Sequence, residues 1–247
     1  MPHSSCIDAF DLDFKGVEGL VWLPWVGRNF ATRSPRKRLL VVGESHYVKP
    51  PQPDQLALFV QQHLDYPDYT RDVVSDCLID QDWPNRTLDT LPKLLFQTQD
   101  IDRSRLWSDA AFYNFVQTPM HYNREGSHER PNAEAFISGW KVFADVVRIL
   151  CPSHCLFIGV AASNSFNYAI NGLSLKFREV QWSEPVGRTY PRVASLESGD
   201  QWVELVFVKH LGKYFSASKW HQYLRSNHSD LLGFLDEEAY PLEASVS

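Results

Sequence analysis

Residues 39–47 read LLVVGESHY, and this stretch constrains the fold more than any other. Leu39, Leu40, Val41 and Val42 form an unbroken apolar run that stops at Gly43. A strand with one wet face alternates apolar and polar residues; a continuous run is the mark of a parallel strand covered on both faces. The loop beyond it presents Glu44, Ser45, His46 and Tyr47 in succession. In open α/β sheets ligands bind past the carboxyl ends of the strands, so this titratable loop is the first candidate site.

The rest of the chain alternates in the same sense. Residues 1–37 read as an irregular lead-in. Its apolar piece, residues 20–25 (LVWLPW), is too hydrophobic to stay free and is expected to pack on the domain formed by residues 38–247. Pro50, Pro51 and Pro53 interrupt the chain, and Asp54 suits the cap of a helix over 55–64. Further helices are expected over 70–79 and 88–96. Residues 110–117 (AAFYNFVQ) read as a second buried strand with Asn114 inside it, and 118–131 (TPMHYNREGSHERP) as a loop. Asn132 then caps the clearest helix. Phe136, Trp140, Phe143, Val147 and Leu150 recur along it at spacings of 4, 3, 4 and 3, one apolar stripe, and Pro152 ends it. Strands follow at 156–160, 193–196 and 203–208, with a helix ending near Ile170 between the first two. Ser216 or Ser218 caps a last helix. The pattern is that of a three-layer α/β/α sandwich with a mainly parallel central sheet.

Composition narrows the function classes. A chain of 247 residues, 44% hydrophobic and 22% charged, builds one large globular domain rather than a disordered segment. The net charge of −6 argues mildly against a nucleic-acid binder, yet phosphate contacts need only a local basic face. Basic residues gather at 33–38 and 209–219, near expected strand ends. Eight Trp, ten Tyr and fifteen Phe leave aromatic surface for stacking on flat ligands. No apolar stretch reaches membrane-spanning length and the Met-Pro-His-Ser-Ser start is no signal peptide, so a cytoplasmic protein without a membrane partner is expected. The four cysteines form no disulfide framework. Cys151 and Cys155 have three residues between them rather than the two of a zinc or redox pair. His121 and His128 have no further residues at ligand spacing, so no metal or other cofactor is expected.

With these elements placed, the sequence resembles the uracil-DNA glycosylase superfamily over roughly residues 38–225. In that family a buried strand ends in a motif seen as GQDPY in one branch and GEAPG in another; here it is Gly43-Glu44-Ser45-His46-Tyr47. A second strand carries a base-reading Asn, matched by Asn114, before a loop of the type NRxP. Asn123-Arg124 and Arg130-Pro131 stand in that loop. A long helix and a strand ending in glycine match 133–150 and 156–159. The last element is a strand running into His-Pro-Ser; here His210 is present and Leu211-Gly212 replace Pro-Ser. The motif aspartate of one branch is Ser45, and the iron–sulfur cysteines of another are missing, Thr118 following Gln117.

The resemblance implies a monofunctional DNA glycosylase acting as a monomer on DNA with a deaminated or modified base. Cleavage of an N-glycosidic bond passes through an oxocarbenium-like sugar, which needs a carboxylate to stabilise it and serve a water; Glu44 is the candidate. The base leaves as an anion and needs a donor at its carbonyl oxygen, the family role that falls on His210. An amide can donate to a carbonyl and accept from a ring N–H, so Asn114 suits a uracil-like edge, with Tyr47, His46 and Ser45 around it. Lys213, Tyr214 and the helix start at Ser216, with Arg124 and Arg130, would hold DNA. The base stays open between uracil and a bulkier modified cytosine of phage DNA, and the setting between base-excision repair and anti-phage defence. Two rival readings accompany this one. A non-catalytic nucleic-acid or nucleotide binder would keep the fold. A serine hydrolase would use Ser45 in a G-x-S elbow with Asp200 and His210, although Tyr47 stands where the elbow wants glycine.

Overall fold

The computed structural model describes residues 3–50, 52–83, 85, 87–121 and 129–236. In chain order the strands are β1 (Trp25–Val26), β2 (Leu39–Gly43), β3 (Tyr47–Val48), β4 (Ala111–Asn114), β5 (Met120–His121), β6 (His154–Ile158), β7 (Phe177–Trp182), β8 (Arg192–Ser198) and β9 (Gln201–Val208). Seven of them form one sheet in the order β1-β4-β2-β6-β9-β8-β7, and β3 pairs with β5 apart from it. The centre, β4-β2-β6-β9, is parallel; β1 at one edge and the β8–β7 pair at the other run antiparallel. The fold is therefore α/β with a mixed sheet whose parallel part is central, as the apolar run at β2 requires: all five of its residues are buried.

Alternation along the strands feeds a separate core on each face. Val41, Phe112, Leu156 and Val206 pack on one side with Leu94 and Leu224 from two helices. Leu40, Val42, Phe157 and Phe207 pack on the other with Trp140 and Phe143 of the helix Ala133–Leu150. That helix begins as expected, Asn132 accepting from the Ala135 N–H at 2.8 Å, and it ends at Cys151, whose φ of 47° turns the chain out of the helix. Each fully buried large side chain of its stripe contributes about 1.5–3 kcal/mol relative to exposure.

Three expectations need correction. The second strand stops at Asn114, not at residue 117. Phe115 and Val116 instead donate backbone N–H groups to Gly43 and Glu44, at 3.0 and 2.9 Å. The helix over 70–79 is α only through Asp72, then widens to a π-helix over Val73–Ile79. β7 goes unrecognised in the sequence because its pairing shifts register between Arg178 and Gln181, so its burial never alternates. The lead-in is also more than a cover: Trp22 and Trp25 are fully buried, and β1 is the sheet's edge strand. No helix among the described residues is long and apolar enough to cross a membrane.

The strand order places the candidate site. β2 connects to β4 on one side, and the chain then returns past it to β6 on the other. β2 and β6 are thus neighbours whose outgoing connections diverge, the point at which open α/β sheets leave a crevice at their carboxyl ends.

Candidate functional site

Glu44 stands at that divergence, directly after β2. Gly159, just past β6 with a φ of 143°, approaches so closely that a Cβ there would lie 3.6 Å from Glu44 Oε2. A small cavity opens beside the carboxylate, walled by Phe115, Phe136, Phe157, Gly43, Gly159 and Ala162. Its volume of about 10 Å³ is the room one water needs, and its walls are largely apolar. Burial raises the Glu44 carboxyl above its ordinary 4.5, and the charge of Arg130 partly opposes this. The carboxyl is therefore easier to protonate than a surface glutamate, which suits a group that takes a proton from water.

Asn114 reaches the same point from the other face of the sheet. It alternates with Tyr113 and shares its side with Phe112, and only Gly43 separates it from the cavity. Its amide nitrogen lies 3.1 Å from His46 Nδ1 and 3.0 Å from Nε2, so it donates to whichever ring nitrogen is unprotonated. His46 Nε2 in turn meets Thr70 Oγ1 at 2.8 Å. Trp22 packs edge-on against the imidazole at 4.8 Å, and Tyr69 lies at 4.6 Å. His46, expected from the sequence beside the base, is buried and serves here as an internal brace for Asn114. Thr70, Tyr69 and Trp22 complete that brace. Only Trp22 carried a sequence signal, in the apolar lead-in.

Burial, and to a lesser extent His63, lowers the His46 pKa from 6.5 to about 3. The neutral ring is favoured in the fold, so its contribution to stability is intact above pH 6.5 and is lost as pH falls toward 3. At about 1.4 kcal/mol per pKa unit, the loss is on the order of 5 kcal/mol by the acid end. Buried His154, also held below its ordinary value mainly by desolvation, acts with the same sign. Denaturant midpoints measured from pH 7 to pH 4 should therefore fall more steeply for the wild type than for His46→Gln. Equal slopes would remove His46 from the acid response.

The other expected residues sort as follows. Tyr47 in β3 donates its hydroxyl to the Glu129 carbonyl at 3.1 Å, and Met120 N–H donates to the His46 carbonyl at 2.8 Å, so the loop 44–48 is clamped to β5. His121 pairs with Glu129 at 2.6 Å; His128, the other histidine of that loop, lies outside the described residues, as do Asn123 and Arg124. Ser45 Oγ is buried with no hydrogen-bond partner among the described residues. A serine nucleophile needs a base on its hydroxyl, and none of the described residues supplies one to Ser45. His210 is exposed just past β9, two strand positions from β2 and hence about 10 Å along the sheet. Its Nδ1 accepts from Gly212 N–H at 3.2 Å, and it does not line the Glu44 cavity. Lys213 and Tyr214 project from the same loop. Tyr214 is 82% exposed at a φ of 65°, with Lys209 Nζ donating to its carbonyl at 2.8 Å. Ser216 begins the helix Ala217–Asn227 without a side-chain cap bond. Thus Asn114 and His46 pair on one side of the strand end and Glu44 lines the cavity on the other, with Gly43 between them, while His210, Lys213 and Tyr214 stand apart on the same edge of the sheet.

One residue of the edge was not anticipated. Arg192 Nη1, at the start of β8, donates into the turn after β6, meeting the Val160 carbonyl at 2.9 Å and Ser163 Oγ at 2.7 Å. That turn supplies Gly159 and Ala162 to the cavity wall. No protein-family model matches the chain, and no curated protein sequence matches it.

Proposed function

We propose that the protein is a DNA glycosylase of the uracil-DNA glycosylase type, hydrolysing the bond between deoxyribose and an altered pyrimidine held outside the duplex. The observation that carries this reading is the position of Glu44. A carboxylate with a raised pKa faces a water-sized cavity at the divergence of the sheet, beside the Gly43–Asn114 contact. In the proposed reaction the sugar–base bond breaks as positive charge develops on the sugar. Glu44 stabilises that charge and accepts a proton from the water whose oxygen joins the anomeric carbon. The base departs with the bonding pair, and donors at the rim meet its developing charge. The motif at 43–47, the amide at Asn114 and the imidazole at His210 support the same assignment through the family resemblance, and the exposed Lys213 and Tyr214 support DNA as the substrate.

A second reading has a specific observation in its favour. The cavity is far smaller than a nucleobase, and the Asn114 amide nitrogen is committed to His46. A binder that keeps the fold without excising a base would look the same. One experiment separates the two. Purified protein is incubated with uracil-rich, hydroxymethylated, glucosylated and unmodified DNA, and the soluble fraction is analysed for free base by mass spectrometry. A released pyrimidine from one substrate is the expected result. DNA binding with no base released from any of them would establish the second reading.

A further inference from the structure

The antiparallel extension of the sheet ends on the same rim as Glu44. β9 runs parallel to β2, so β8 starts and β7 finishes at that edge, Arg192 pairing with both Phe207 and Trp182. There the Arg192 guanidinium stacks on the Trp182 ring at 4.1 Å while its Nη1 holds the turn that walls the cavity. Tyr190 lies 5.8 Å from Trp182, ring centre to ring centre. Trp182 is nevertheless 60% exposed and Tyr190 49%. A large aromatic pair left in water, stiffened from beneath by a cation, is the form of a stacking platform.

We propose that Trp182, backed by Arg192 and flanked by Tyr190, stacks an unpaired nucleotide of the DNA strand engaged at the Glu44 rim. This rests on the reading of the protein as acting on DNA, and it adds a preference for DNA with a single-stranded segment. Charge favours that occupant. The two rim loops, 183–191 and 209–216, carry Arg188, Lys209 and Lys213 against the single carboxylate Glu184, on a chain whose net charge is −6. An apolar partner would gain nothing from those cations and a purely acidic one nothing from the exposed rings, whereas a nucleotide uses both, its base the ring and its phosphate the charge.

The test is fluorescence anisotropy of the full-length protein with a labelled single strand and with a blunt duplex of equal length. The wild type should bind the single strand more tightly. Trp182→Ala should weaken single-strand binding about 5- to 100-fold and leave duplex binding within about twofold; Trp182→Phe, which keeps a stacking face, should stay within about threefold of the wild type. Single strand should also quench the tryptophan emission of the wild type more than that of Trp182→Phe, a readout that does not depend on the alanine variant folding. Unchanged affinity in Trp182→Ala, or equal quenching in wild type and Trp182→Phe, would overturn the platform alone. A wild type that binds neither DNA would overturn it together with the glycosylase reading.

Discussion

Base release by Glu44→Gln is expected to fall about 10²- to 10⁴-fold, the range over which a positioned proton-transfer group contributes. The same variant should be more stable than the wild type at neutral pH. The two effects share a cause. Burial holds the Glu44 carboxyl above 4.5, so the folded state disfavours its charged form. A group of this kind stabilises the fold fully below its unfolded pKa and loses that contribution as pH rises through the folded one. Glutamine has no charge to bury, so its advantage should be present at pH 7 and vanish toward pH 4. Activity runs the other way. The reaction needs the carboxylate, so wild-type base release should drop on acidification with a midpoint above 4.5. Single-turnover cleavage of a labelled abasic product across pH, alongside denaturant unfolding of both proteins, measures both limbs. Activity retained in Glu44→Gln would end the catalytic assignment. A fold weakened by the substitution would mean that Glu44 is held by partners rather than merely desolvated.

The residues that were legible in the sequence are those whose neighbours along the chain state their environment. Leu39–Gly43 announces a covered strand because its partners on both faces dictate the same residue type. The helix Ala133–Leu150 announces its buried stripe through period and cap. Glu44 was marked by its place after such a strand. The brace under Asn114 was not legible, because His46, Thr70 and Trp22 are brought together only by the tertiary fold. A histidine in a polar loop reads as a site residue until a tryptophan and a tyrosine are seen to enclose it. His210 presents the converse case. Its position after the last parallel strand was correct, but the separation of β9 from β2 by β6 leaves it outside the small cavity. Arg192 escaped notice because β7, the strand that carries its stacking partner, is irregular in register.

Gly43→Ala should damage the site without touching any ionisable group. The added methyl would lie 2.1 Å from Asn114 Oδ1 and 3.1 Å from the Phe112 ring. Asn114 has no room to yield: it is 5% exposed, its strand pairs with Gly43, and His46 fills the space on its far side. The amide must leave its rotamer and give up His46, an overpacking cost of about 1–3 kcal/mol. A buried imidazole nitrogen then loses its donor, at about 1–3 kcal/mol more. On the proposed function base release should collapse as well, since the residue assigned there to the base and the wall of the cavity are displaced together. A double-mutant cycle identifies the mechanism. If the clash is with Asn114, Gly43→Ala will cost much less in an Asn114→Ala background than in the wild type, because the obstructing amide is gone. Strictly additive unfolding free energies would place the strain elsewhere. They would also separate Asn114 from the strand-end glycine, and with it from Glu44.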